Sequence, residues 1–130
     1  MSGGNPVGRG AVPPVILVVD DHDSVRDALG LELAGYRVVA VPDGAAALEV
    51  LRAGFVPRVI VLDLMMPLMD GFEFRVRQLA DPTLASIPVI IVSADGRATR
   101  LAESPGVHAV FVKPVDFDDL VRAIECVATR

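Results

Sequence analysis

Residues 15–21 read VILVVDD, five aliphatic residues followed at once by two aspartates. The run is unbroken and rich in β-branched side chains. That pattern suits a strand covered on both faces, as in a parallel sheet, better than one with a wet side. Val59–Leu62 (VIVL), Val89–Val92 (VIIV) and Val107–Val112 (VHAVFV) read the same way, the last interrupted by His108. Tyr36–Val41 (YRVVAV) is a weaker version. Segments of helical spacing lie between the runs. Val25, Ala28, Leu29 and Leu33 share one face, with Gly35 as the cap that follows. Ala45, Leu48 and Leu51 form a second stripe closed by Gly54, and Phe72, Val76 and Leu79 form a third. Phe117, Leu120, Ile124 and Val127 form the last. Between Ser93 and Val107 there is room for about two turns, around Ala98–Ala102, before Pro105 and Gly106 end them. Strand and helix thus alternate along the chain. The alternation predicts one doubly wound α/β domain, with right-handed crossovers and helices on both faces of a parallel sheet.

A chain of 130 residues favours a single domain. With 52% hydrophobic and 22% charged residues it can bury a core, which excludes global disorder. No apolar run approaches the ~18–20 residues a membrane span needs, so no membrane insertion is expected. The N-terminus lacks the basic start and apolar stretch of a signal peptide, and the expected location is cytoplasmic. Residues 1–14 carry four glycines and three prolines and read as a flexible leader ahead of a domain at 15–129. The single cysteine, Cys126, excludes a disulfide framework and a Cys-rich zinc site. It stands beside the last apolar stripe and is expected to be packed. A net charge of −5 argues against direct nucleic-acid binding.

In open α/β sheets ligands bind at the carboxyl ends of the strands. The first run ends in Asp20-Asp21, the third in Asp63, the fourth in Ser93-Ala94 and the fifth in Lys113-Pro114. Each is ordinary alone. Acids after a strand often cap the next helix, and Asp23 or Ser24 can do that here. Together they bring three carboxylates, a hydroxyl and an ammonium to one edge. Clustered carboxylates repel and raise one another's pKa, which a fold tolerates when a hard cation binds among them. Mg²⁺ takes oxygen ligands of this kind together with waters and a phosphate. The hydroxyl and the lysine complement phosphoryl oxygens. Eleven of the twelve basic residues are arginine, and Lys113 is the exception. A compact ammonium suits a cramped site beside a carboxylate better than a planar fork does. His22 reads as a solvated loop residue rather than a ligand, and His108 as structural.

With VVDD at Val18–Asp21, DLMMPLMDG at Asp63–Gly71, VSA at Val92–Ala94 and VKP at Val112–Pro114, the chain resembles the receiver domains of two-component response regulators. The likeness runs from about Val15 to Thr129. It implies a flavodoxin-like (βα)5 fold with strand order 2-1-3-4-5. It implies that Asp63 accepts a phosphoryl group from a histidine kinase or histidine phosphotransfer protein. Mg²⁺ would be held by Asp20, Asp21, Asp63 and the Met65 backbone carbonyl, with Ser93 and Lys113 on the phosphoryl oxygens. Such a domain catalyses only its own phosphorylation and dephosphorylation, and signals by contact with a downstream protein that the sequence does not name. The resemblance further implies a cis bond before Pro114, a turn shaped by Pro67 and Gly71, and variable positions flanking the attacking water at Met65 and Asp95.

The sequence departs from the family pattern at two places. Val110 stands where most relatives carry an aromatic, and the interval from Ser93 to Lys113 is shorter than usual. Both put the usual output mechanism in question, and any switch is expected to run through Ser93 and residues 94–100. An aspartate-nucleophile phosphatase is disfavoured because Met65 stands where its second aspartate belongs. A flavin module is disfavoured because the acidic DDHDS at 20–24 would repel phosphate. A degenerate receiver that binds a partner unphosphorylated is the remaining alternative. The span after Thr129 leaves no room for an output domain, so the chain reads as a stand-alone receiver or as one cut from a longer regulator or hybrid kinase, and the leader with Met1 favours a stand-alone or N-terminal receiver.

Overall fold

The computed structural model describes residues 14–22, 35–66 and 69–129. Its strands are β1 (Val15–Val19), β2 (Arg37–Val41), β3 (Val59–Asp63), β4 (Val89–Ser93) and β5 (Val107–Val112). They form one sheet in the order β2-β1-β3-β4-β5, every pairing parallel. β3 and β4 are buried throughout and β1 nearly so, whereas in the edge strands β2 is buried only at Val41 and β5 is half-buried or exposed along its whole length. That is why the β2 run is the weakest in the sequence. A strand with a solvated side has no use for an unbroken apolar row.

Helices α1 (Gly44–Arg52), α2 (Gly71–Ala80) and α3 (Phe117–Ala128) and a 3₁₀ segment (Gly96–Glu103) connect the strands. Each of the four is capped at its start by an aspartate: Asp43, Asp70, Asp116 and Asp95. Such side chains satisfy the free N–H groups of a first turn. The expected helix through Val25, Ala28, Leu29 and Leu33 lies outside the described residues. So do the leader through residue 13 and Pro67. Gly35, expected to end that helix, has φ 93°, a left-handed conformation that costs glycine little.

Strand side chains alternate between two cores. Leu17, Val19, Ile60, Leu62, Val89 and Ile91 face one, with Leu48 and Leu51 of α1 and Phe74 of α2. Ile16, Val18, Val59, Val61, Ile90 and Val92 face the other, with Leu120, Ile124 and Val127 of α3. The α3 stripe is as expected. On α1, Leu48 and Leu51 are buried but Ala45 is exposed, and Ala47 takes the inward place. Cys126 is exposed rather than packed.

Helix α2 overturns its expectation. Phe72 and Val76 are 48% and 69% exposed, and Leu79 lies on the same outward side. Gly71, Phe74, Arg75 and Gln78 are buried instead. A buried arginine and glutamine are tolerable only when their polar ends are satisfied. Gln78 Oε1 accepts from Arg75 Nη1 at 2.7 Å, and Gln78 Nε2 donates to the carbonyls of Leu84 and Ile87, each at 3.1 Å. Arg75 Nη2 donates to Ser104 Oγ at 3.1 Å and to the Pro105 carbonyl. Burial pulls the Arg75 pKa below its ordinary value.

The inverted face is testable by urea unfolding. Gln78→Ala is expected to cost about 2–4 kcal/mol, because it opens a cavity and strands Arg75 and two carbonyls. Val76→Ser is expected to cost no more than about 0.5 kcal/mol, as at other exposed positions. The reverse order would restore the apolar stripe as the buried face.

Candidate functional site

Sheet register assembles the site. Asp63 ends β3 and pairs with Val92 of β4. Ser93 ends β4 and pairs with Val112 of β5, and the Lys113 N–H donates to the Ser93 carbonyl at 2.8 Å. Asp20 follows β1 directly, its N–H donating to the Val41 carbonyl at 3.1 Å. By the alternation of side chains, Asp20 continues the row of Ile16 and Val18, and Asp63 the row of Val59 and Val61, both on the α3 side. Ser93 continues the row of Val89 and Ile91 on the opposite side.

Asp20 and Asp63 are 3% and 2% exposed, so both carboxylates sit out of bulk water. Lys113 Nζ reaches Asp63 Oδ2 at 3.2 Å and Asp20 Oδ2 at 3.8 Å. The other Asp63 oxygen, Oδ1, accepts the Met65 N–H at 3.0 Å. Burial raises the Asp63 pKa above the ordinary carboxylate value. The charge on Asp20 adds to the rise, and the Met65 N–H and Lys113 oppose it without cancelling it. Ligand atoms of Asp20, Asp21, His22 and Asp63 all lie within 4.8 Å of one another. A cleft of about 490 Å³ opens over Asp20, Asp63, Met65, Ala94 and Lys113.

The structure thus gathers Asp20, Asp21, Asp63 and Lys113. Ser93 stands at the same edge, fully buried, but its Oγ accepts the Asp95 N–H at 3.1 Å and makes no hydrogen bond to the carboxylates. Asp95 in turn pairs with Arg97 at 2.6 Å, and that guanidinium pulls its pKa down to about 2. The peptide bond between Lys113 and Pro114 is cis. Gly71 proves to be a contact residue as much as a turn residue. A Cβ there would stand 2.7 Å from Leu64 Cα and 2.8 Å from the Asp63 carbonyl oxygen. Only a bare backbone lets α2 start so close to the end of β3. His22 is a solvated loop residue, as its sequence reading has it, but its ring also meets the acids. Its ring is 58% exposed, yet Nδ1 lies 3.0 Å from Asp20 Oδ1 and 3.1 Å from Asp21 Oδ1. Nothing in the spacing of DDHDS announces that the ring folds back.

A family model described as the response regulator receiver domain matches residues 16–125. The DNA-binding dual master transcriptional regulator RpaA of Synechocystis is 31% identical over 90% of this chain. The chain spans about half (50%) of the length of that relative. Among solved structures, a response regulator from Chloroflexus aurantiacus superposes with a TM-score of 0.80 at 27% identity, covering 92% of this chain and 100% of that one. The phosphorylated cyanobacterial phytochrome response regulator RcpA does so with a TM-score of 0.74 at 26% identity, covering 91% and 95%. Among the described residues, no helix is long and apolar enough to cross a membrane.

The raised Asp63 pKa fixes the sign of a stability test. A carboxyl group whose folded pKa is raised contributes stability below its unfolded pKa and loses it as pH rises through the folded value. At neutral pH without divalent cations, Asp63→Asn is therefore expected to melt at a higher temperature than the parent. The gap should close as pH falls through the carboxylate range. A variant less stable at neutral pH would show that the Lys113 pairing outweighs the burial of charge.

Proposed function

The chain belongs to the response regulator receiver domain family, and on that premise we propose that Asp63 accepts a phosphoryl group from a phosphohistidine partner in a cation-assisted transfer. The observation that carries the reading is the convergence of Asp20, Asp21 and Asp63 with Lys113 Nζ 3.2 Å from the Asp63 carboxylate. One ammonium does not neutralise three carboxylates. Their oxygens are the hard donors that Mg²⁺ takes. Asp20, Asp21 and Asp63, with the Met65 carbonyl, would hold it, and when bound it offsets the charge of acids and phosphoryl oxygens together. RcpA, similar at 26% identity, is a response regulator whose structure is of the phosphorylated form. Nothing observed favours the alternative of a module that acts unphosphorylated.

The chain's own residues would act as follows. An Asp63 oxygen forms the new P–O bond as the P–N bond to the donor imidazole breaks, the electron pair leaving on the ring nitrogen. Lys113 and the Met65 N–H hold the carboxylate in place before transfer, and Lys113 is near enough to follow the charge onto the phosphoryl oxygens. Catalysis of this kind is mostly positioning and electrostatics. Ser93 Oγ would give up the Asp95 N–H and donate to the phosphoryl group. That exchange would release the backbone of Asp95, which caps the 3₁₀ segment. The acyl phosphate hydrolyses in time, which limits the signal. The kinase or phosphotransfer partner and the downstream protein are expected to bind by protein contact.

Three experiments test the reading. Incubation with acetyl phosphate and Mg²⁺ is expected to label Asp63 alone, and Asp63→Ala is expected to take no label. Full labelling of that variant would remove Asp63 from its role. Lys113→Arg is expected to slow phosphorylation at least about tenfold although charge is kept, because the planar fork does not fit beside Asp63. In amide spectra with beryllofluoride, the largest shifts away from Asp20, Asp21, Asp63 and Lys113 are expected at Ala94–Ala102. Shifts centred on Val110 instead would place the switch on β5.

A further inference from the structure

Beside its oxygen donors the cluster contains a nitrogen. His22 Nδ1 lies 3.0 Å from Asp20 Oδ1 and 3.1 Å from Asp21 Oδ1. Neighbouring donors on an octahedral cation with bonds of ~2.1 Å lie about 3.0 Å apart. Without a metal these are hydrogen-bond lengths, Nδ1–H donating to the carboxylates; a cation that displaces that proton meets donors already spaced about as neighbours in one coordination sphere. No two ligand atoms of Asp20, Asp21, His22 and Asp63 are farther apart than 4.8 Å. The backbone N–H of His22 donates to Asp20 Oδ1 at 2.8 Å, which ties the ring's own residue to the first acid. The ring is 58% exposed, so a cation can reach Nδ1 from solvent. His108, the other histidine, sits in β5 and is exposed there, outside the cluster.

We propose that His22 is a nitrogen donor of the cation site, and that it shifts the site's preference from Mg²⁺ toward first-row transition cations. The proposal rests on the reading of Asp20, Asp21 and Asp63 as that site. An imidazole adds little for Mg²⁺, which prefers oxygen and keeps its waters. It adds much for Ni²⁺ or Zn²⁺, for which imidazole is a favoured ligand. Any mixed site binds Ni²⁺ more tightly than Mg²⁺, so the discriminating quantity is how the ratio of the two affinities changes when His22 is removed.

The test is calorimetric titration of tag-free protein with NiCl₂ and with MgCl₂ at one slightly alkaline pH. The parent is compared with His22→Gln and with His108→Gln. His22→Gln is expected to weaken Ni²⁺ binding at least about tenfold and to change Mg²⁺ binding by no more than about twofold. His108→Gln should leave both alone. Retained Mg²⁺ affinity also shows that the acidic cluster is intact in the variant. An unchanged Ni²⁺ affinity, an equal loss for both cations, or a Ni²⁺ loss on changing His108 would each overturn the role of His22 and leave the acidic site standing. A parent that binds neither cation would overturn both.

Discussion

Like charges held close together are the constraint around which the rest of this molecule is arranged. Asp20 and Asp63 are both removed from water, Asp21 stands beside them, and among the described residues Lys113 is the one ammonium in reach. A flexible chain would spread these groups apart. They stay together because each is fixed at the end of a strand whose other residues are locked into neighbours by parallel pairing. The work done against repulsion is met by the two cores, one on each face of the sheet. Helices on both sides are in that sense a requirement of the site as well as of the fold, since a half-wet sheet would have fewer apolar side chains to hold the acids in place.

The surroundings of the site differ in stiffness. On one side, α2 begins in direct contact with the end of β3, made possible by Gly71. It is then stapled by Arg75 and Gln78 to the loop before β4 and to the segment after the 3₁₀ turn. On the other side, residues 94–103 hang from Ser93 through the Asp95 N–H, and Gly96–Glu103 is held as a 3₁₀ segment with only Ala98 buried. Such segments make poorer hydrogen bonds than an α-helix. A change at Ser93 therefore meets little resistance in the 3₁₀ segment and much more in α2.

How much of this was readable in the sequence depended on the type of burial. β1, β3 and β4 were plain because strands covered on both faces leave unbroken apolar rows, and the site followed because its residues end those rows. α3 was plain for the same reason, with a single apolar stripe at helical spacing. α2 was misread. Its segment GFEFRVRQLA offers apolar residues at 72, 74, 76 and 79, and the regular set Phe72, Val76 and Leu79 is the one left outside. The inward set includes Arg75 and Gln78, and whether polar ends can be satisfied depends on carbonyls at Leu84, Ile87 and Pro105, distant in sequence. His22 and Gly71 escaped for related reasons. One depends on how a ring turns after its backbone is tied, the other on a contact with a different element. Cys126 shows that standing beside an apolar stripe does not place a residue inside it.

The alternation of side chains along β3 has a bearing on inheritance. Val59 and Val61 serve one core, Ile60 and Leu62 the other, and Asp63 is placed by being the next in the count. Exchanging one aliphatic residue for another in this strand disturbs packing locally. Losing or gaining a single codon there would swap the two cores' contributions and turn the aspartate to the wrong face. The segment at 81–88, between α2 and β4, has no such parity to keep, although its Leu84 and Ile87 carbonyls are held by Gln78. Lineages of this fold should therefore vary freely in the spelling of β3 but hardly at all in its length, and should collect their insertions between elements.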